Sequence, residues 1–192
     1  MNNRLDSEND QKAAEAACLE KETCGRLPIV LVGIMGAGKS TVGKQLALSL
    51  GLPFFDSDHE IEAAADMTVQ EIFDAHGEPE FRRVERRVIE RLLGQGEMVL
   101  ATGGGAYMDE QTRALMKARS VTVWLKADLD LLWRRVSRRG GRPLLKQPNP
   151  KKVLSDLLKE REPVYAEADF TVQSKDGPHM MTVDAIRKAI KR

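Results

Sequence analysis

Aromatic residues make up only 5% of the 192-residue chain, which leaves little for a surface that would stack unpaired bases. An excess of either charge is also missing. Thirty Lys and Arg stand against 29 Asp and Glu, a formal net charge of +1, so no chain-wide field draws nucleic acid or an anionic membrane. Any affinity for anions must therefore be local. Cysteine is scarce as well: Cys18 and Cys24 match neither a zinc ribbon nor a redox pair in their spacing, and they read as free thiols in a reducing compartment. No apolar run approaches the ~20 residues of a membrane span. Residues 1–10 are polar and acidic, where a signal peptide is basic and then apolar. These absences point to a cytoplasmic chain with no membrane or nucleic-acid partner, and nothing in the sequence demands more than a monomer.

What is present is enough for one domain of ordinary size, with 42% hydrophobic and 31% charged residues. Residues 1–26 lack a spaced apolar face and read as a flexible tail. From Leu27 the character changes. Residues 28–32 form a short, nearly continuous apolar run, the mark of a strand buried on both faces. Further strand signals fall at 53–55, 98–102, 121–125 and 170–172, separated by helix-like stretches such as 41–50 and 128–138. Such alternation predicts an α/β fold, a parallel sheet covered by helices. The gap from 57 to 95 holds more chain than one crossover needs and reads as an inserted lobe. Residues 138–150 combine Gly140, Gly141 and three prolines with cationic side chains, which suits a mobile surface segment.

Gly33-Ile34-Met35-Gly36-Ala37-Gly38-Lys39-Ser40 fits G-x-x-x-x-G-K-[ST] between the first predicted strand and the first predicted helix. That context carries as much weight as the pattern. A run of inward-turned backbone N–H groups can close around phosphate oxygens only where side chains do not crowd it, and the helix adds the positive end of its dipole. Lys39 would bridge the terminal phosphates, and the Ser40 hydroxyl would ligate Mg2+ brought with ATP. The expected nucleotide-binding set is Gly36, Ala37, Gly38, Lys39, Ser40, Thr41, Val42 and Gly43.

Five further segments are candidates for the rest of the site. Asp56 and Asp58 sit just past the second strand, at the edge of a parallel sheet where ligands bind. Asp56 reads as a second Mg2+ ligand, through water, and Asp58 as the group that accepts a hydrogen bond from the attacking hydroxyl and takes its proton; alternatively, Ser57 or Asp58 caps a helix starting near His59. Glu80-Phe81-Arg82-Arg83-Val84-Glu85 is either a solvated face laced with ion pairs or the source of one arginine fork, oriented by Glu85, for a carboxylate. Gly103, Gly104 and Gly105 form a loop bare enough for a ligand to touch main chain, or only a turn into the next helix. Arg142 and Arg161 are cations on separate elements, of the kind that complete a site when a lid closes, or are merely exposed.

Taken in order, G-x-x-G-x-G-K-S, F-x-D-x-D, F-R-R-x-E, G-G-G, R-P-L-L and R-x-P-x-Y resemble the shikimate kinases over residues 27–172. The resemblance implies a P-loop three-layer α/β/α fold like that of nucleoside-monophosphate kinases. It would have a central five-stranded parallel sheet, a substrate lobe at 57–95 and a lid at 138–150 in a single kinase domain, 27–192. It implies ATP-dependent phosphorylation of the 3-hydroxyl of shikimate on the way to chorismate and the aromatic amino acids, with Mg2+ as cofactor. Lys39, Asp58 and Arg142 would be catalytic, with Arg142 also on the phosphates. Asp58, Arg82, Gly103, Gly104, Gly105 and Arg161 would hold shikimate, Ser40 and Asp56 the metal, and Arg135 would lie against adenine. The runner-up is another kinase of this fold, such as a gluconate kinase; outside enzymes, a nucleotide-sensing switch is the alternative. The sequence 174–178 does not place the family's other adenine-side residue.

Overall fold

The apolar run after Pro28 forms β1 (Ile29–Val32), and all four of its residues are buried, as a central strand covered on both faces requires. The structure, a computed structural model, describes residues 27–139 and 148–191. Five parallel strands lie in the order β2-β3-β1-β4-β5, with β2 (Phe54–Asp56), β3 (Val99–Ala101), β4 (Val121–Lys126) and β5 (Phe170–Gln173). Flanking helices complete the expected three-layer α/β/α arrangement. In register, Leu31 stands beside Ala101 on one side and Val123 on the other, so the loops leaving β1 and β3 emerge together at the carboxyl edge.

Helix α1 (Lys39–Leu50) begins two residues earlier than the apolar spacing alone predicts, because the glycine loop feeds straight into it. It ends as predicted at Gly51, whose φ of 67° is the left-handed C-cap. Helices α2 (Ser57–Ala65) and α3 (Val69–Leu93) fill the interval expected to form a lobe. A capping box at Thr68 and Glu71 starts α3, and the chain then breaks at Gly77 (φ 76°, ψ 173°), which turns the first part of α3 across the second. Phe73 and Phe81 pack their rings across that break at 4.4 Å between centroids.

After β3 a single 3₁₀ turn (Ala106–Met108) leads into α4 (Glu110–Arg119); α5 (Leu129–Arg139), α6 (Pro150–Tyr165) and α7 (His179–Ala189) follow. Most of the expected lid at 138–150 and all of the tail at 1–26 lie outside the described residues. Among the described residues no helix is long and apolar enough to cross a membrane.

A polar clamp fastens β5, the last strand, to the rest. The Asp169 carboxylate accepts from both the backbone N–H and the hydroxyl of buried Thr122 at 2.8 Å, and Asp169 N–H donates to that hydroxyl at 2.9 Å. Asp169→Ala leaves the Thr122 amide unsatisfied, so its urea midpoint should drop by the equivalent of about 1–3 kcal/mol. A midpoint equal to that of the unaltered protein would show the clamp to be dispensable.

Candidate active site

The loop between β1 and α1 closes tightly because its glycines have no side chains. Gly36 has φ 84°, and a Cβ there would lie 2.9 Å from Val136 Cγ2; one at Gly33 (φ 136°) would lie 2.9 Å from Leu125 O. The N–H groups of Gly36 and Gly38 donate to no protein group among the described residues, and the first amides of α1 have no partner within the helix. The result is a concave row of donors at the positive end of a helix, which suits phosphate oxygens. Lys39 is buried beside it and donates from Nζ to Gly33 O at 2.6 Å and Ile34 O at 3.1 Å, so its charge stays within the loop.

The loop borders a cleft of about 320 Å³ that also contains Asp56, Asp58, Thr102, Gly103 and Gly104. Ser40 Oγ donates to Asp56 Oδ2 at 2.7 Å, which places two hard oxygen ligands side by side. This donor set fits Mg2+, which takes one or two protein oxygens and completes its shell with nucleotide phosphates and water. No cluster of three acidic, His or Cys side chains that could hold a metal unaided occurs among the described residues.

Asp58, on the first turn of α2, shares the cleft. Burial pushes its carboxyl above the ordinary 3.8 and neighbouring Asp56 adds to this, while Lys39 opposes the rise. A carboxylate lifted in this way is a better proton acceptor than one in water. The second element of the site is the arginine–glutamate pair on α3. Arg82 Nη1 donates to Glu85 Oε2 at 2.6 Å and Nη2 to Glu78 at 3.0 Å, and the guanidinium lies so close over Gly105 that a Cβ there would have to displace it. Glu85 is buried, and desolvation, only partly offset by Arg82, raises its pKa from 4.5 to about 7. Its Oε1 has no hydrogen-bond partner among the described residues.

The glycine loop after β3 sits between these groups and the phosphate loop. Ser57 Oγ accepts from Gly103 N at 3.0 Å, whereas the amides of Gly104 and Gly105 donate to no protein group among the described residues. From α6, Arg161 Nη1 at 3.3 Å and the Tyr165 hydroxyl at 2.5 Å both donate to Gly104 O. The site therefore offers free amides, two guanidinium groups and a carboxylate within one corner of the molecule.

The structure thus gathers Gly36, Gly38, Lys39, Ser40, Thr41, Asp56, Asp58, Gly103 and Gly104 around the cleft, with Gly105, Arg82 and Arg161 joined to its glycine loop. Ala37, Val42 and Gly43 turn inward; a Cβ at Gly43 would meet the Phe54 ring, so that residue serves the contact between helix and sheet. Arg142 lies outside the described residues. The capping reading is corrected: α2 starts at Ser57, and its N-cap is Asp56, whose Oδ1 accepts from Asp58 N at 3.2 Å, so neither Ser57 nor Asp58 is spent as the cap.

Arg135 lines the cleft, and its guanidinium straps the phosphate loop to the turn after β5. It donates to Gly36 O at 3.3 Å, Ala37 O at 3.2 Å, Ser174 Oγ at 3.0 Å and Lys175 O at 3.0 Å. Sequence reasoning missed Ser57, Arg138, His179 and Tyr165 as residues of this corner. Ser57 and Tyr165 lay inside motifs already in view and Arg138 at the start of the cationic segment 138–150, while nothing local marked His179.

Comparison with known proteins agrees with this geometry. The family model described as "Shikimate kinase" matches residues 35–191. A shikimate kinase from Rhodopseudomonas palustris is 57% identical over 160 residues, covering 83% of this chain and 79% of that protein. The solved shikimate kinase from Acinetobacter baumannii in complex with shikimate superposes with a TM-score of 0.82 at 42% identity, over 90% of this chain and 96% of that one. A gluconokinase from Sinorhizobium meliloti shares the fold alone, with a TM-score of 0.57 at 20% identity over 86% of this chain and 91% of its own.

The raised Glu85 carboxyl has a consequence for stability. Between its ordinary 4.5 and about 7, the folded chain keeps a proton that the unfolded chain releases, so this group's contribution declines as pH rises through that window and levels off above it. Glu85→Gln cannot ionise and removes the decline. The urea midpoint of the unaltered protein should therefore fall more steeply between about pH 5 and about pH 7.5 than that of the variant. Parallel slopes would contradict the assignment.

Proposed function

Because this chain belongs to the shikimate kinase family and transfers the terminal phosphoryl group of ATP to the 3-hydroxyl of shikimate, we propose that its cleft divides the work between the phosphate loop and the acceptor corner. The amides from Gly36 to Thr41 hold the β- and γ-phosphates, and Lys39 moves from its loop carbonyls onto them. Asp58 accepts a hydrogen bond from the acceptor hydroxyl. The hydroxyl oxygen forms a new bond to the γ-phosphorus as the bond to the ADP oxygen breaks, and the hydroxyl proton passes to Asp58. Arg82, held by Glu85, and Arg161 form planar forks for the shikimate carboxylate, with the free amides of Gly104 and Gly105 beside them. Arg142 completes the phosphate contacts from the lid at 138–150, over a substrate lobe within 57–95.

Ser40 and Asp56 hold Mg2+, which when bound neutralises phosphate charge. The same reading has the protein act as a monomer, and dependence on ATP supports a cytoplasmic setting. The observation that carries the reading is the meeting of the unpartnered loop amides, the Ser40–Asp56 pair and Asp58 in a single cleft. The gluconate kinase reading would not require the Asp58, Arg82, Gly103–105 and Arg161 set.

A coupled ADP-release assay with shikimate, gluconate and nucleoside monophosphates as acceptors should show turnover with shikimate alone; turnover of gluconate in its place would end this reading. Asp58→Asn should bind ATP normally while kcat falls by roughly 10²- to 10⁴-fold, the usual worth of a positioned base. Normal turnover in that variant would leave Asp58 only a structural part. Arg82→Lys and Arg161→Lys should raise the KM for shikimate more than that for ATP, since an ammonium lacks the bidentate fork. Equal shifts in both would reassign them.

A further inference from the structure

Tyr165 lies one helical turn beyond Arg161 on α6, and its side chain is fully buried between Tyr107 and Trp124, with ring centroids 6.5 and 6.0 Å away. Its hydroxyl does not reach the cleft. It donates instead to Gly104 O, the carbonyl that Arg161 also engages. A carbonyl oxygen has two lone pairs, so these two donors use the whole acceptor capacity of that peptide.

The consequence is conformational. Across a trans peptide the C=O of Gly104 and the N–H of Gly105 point in opposite directions, so drawing the oxygen towards α6 turns the Gly105 N–H away from it. That N–H and the Gly104 N–H are the unpartnered amides of the loop. Glycine offers no side chain to restrict this peptide, and two successive glycines could rotate it at little cost. Arg161 alone is a poor lock, because its guanidinium is needed elsewhere once an anionic acceptor arrives.

We propose that Tyr165 is a positioning residue of the acceptor site. Its hydroxyl fixes the Gly104–Gly105 peptide, so that the Gly105 N–H stays aimed at the acceptor's carboxylate while Arg161 is free to turn onto it. The inference rests on the reading that this corner receives shikimate. It assigns the tyrosine to acceptor binding and not to nucleotide binding, although Trp124, stacked on Tyr165, also lies beside Gly33 of the phosphate loop.

The test is Tyr165→Phe, which keeps the ring and removes only the hydroxyl, with its bond to Gly104 O and its contact with Arg161, assayed beside the unaltered enzyme. The KM for shikimate should rise by about three- to tenfold, the worth of one hydrogen bond, with kcat and the KM for ATP within about twofold. A purely structural tyrosine would lower the active fraction, and hence the apparent kcat, at constant KM; that result, or a KM for ATP that rises equally, overturns the proposal. If the unaltered enzyme does not turn over shikimate, the functional reading fails with it. If it does and the variant's KM is unchanged, only this proposal fails.

Should the variant not fold, the chain's two tyrosines allow a second measurement. Fluorotyrosine incorporated into a Tyr107→Phe background leaves Tyr165 as the single ¹⁹F reporter. Its resonance should move on addition of shikimate and stay in place on addition of ADP. A signal unmoved at saturating shikimate overturns the proposal.

Discussion

Two bare loops lie side by side at the carboxyl edge of the sheet, with room for little more than glycine between them. A Cβ at Gly104 would lie 3.3 Å from Met35 N, so the loop after β3 presses directly on the phosphate loop after β1. The pairing of Leu31 with Ala101 brings the strand ends level, and Thr102 seals the junction with both its N–H and its hydroxyl on Leu31 O, at 3.2 and 3.1 Å. Donor and acceptor groups are thus held at a separation set by sheet register. Phosphoryl transfer depends mostly on position and charge, so a rigid separation of this kind is what the chemistry requires of the fold.

That closeness concentrates charge under poor solvation. Asp58 and Glu85 both lie within a few ångströms of where a Gly103 side chain would be, and both carboxyls are raised by burial. Burying a charge is costly unless it is partnered, which accounts for the Arg82–Glu85 contact: the glutamate holds the guanidinium in place and has its own charge partly compensated. Lys39 follows the same rule with loop carbonyls as partners. The site is a set of desolvated ions kept in place by neighbours that the substrates would displace or share.

Much of this was legible in the amino-acid sequence, and the reason is local. β1 announced itself by an unbroken apolar run, the phosphate loop by glycines that its sharp turns require, and α1 by spacing that ends at Gly51. The proposed acceptor residues Asp58, Arg82 and Arg161 could be named only because several motifs occurred together, since each alone reads equally well as a cap or a solvated face. What escaped was tertiary. The bond from Tyr165 to Gly104 joins residues 61 apart and the strap from Arg135 to Gly36 joins residues 99 apart; no periodicity encodes either. The N-cap was misassigned by one or two residues because Asp56, Ser57 and Asp58 are all good caps, and only the strand's end decides among them.

The most direct test of this account is a crystal structure with ADP, Mg2+ and shikimate bound together. The β-phosphate should lie against the amides of residues 36–40, with Mg2+ touching Ser40 and the 3-hydroxyl of shikimate on Asp58, facing the vacant γ-position across about 3–3.5 Å of the transferred group's path. A nucleotide whose phosphates leave that loop empty, or a shikimate hydroxyl turned away from Asp58, would contradict it.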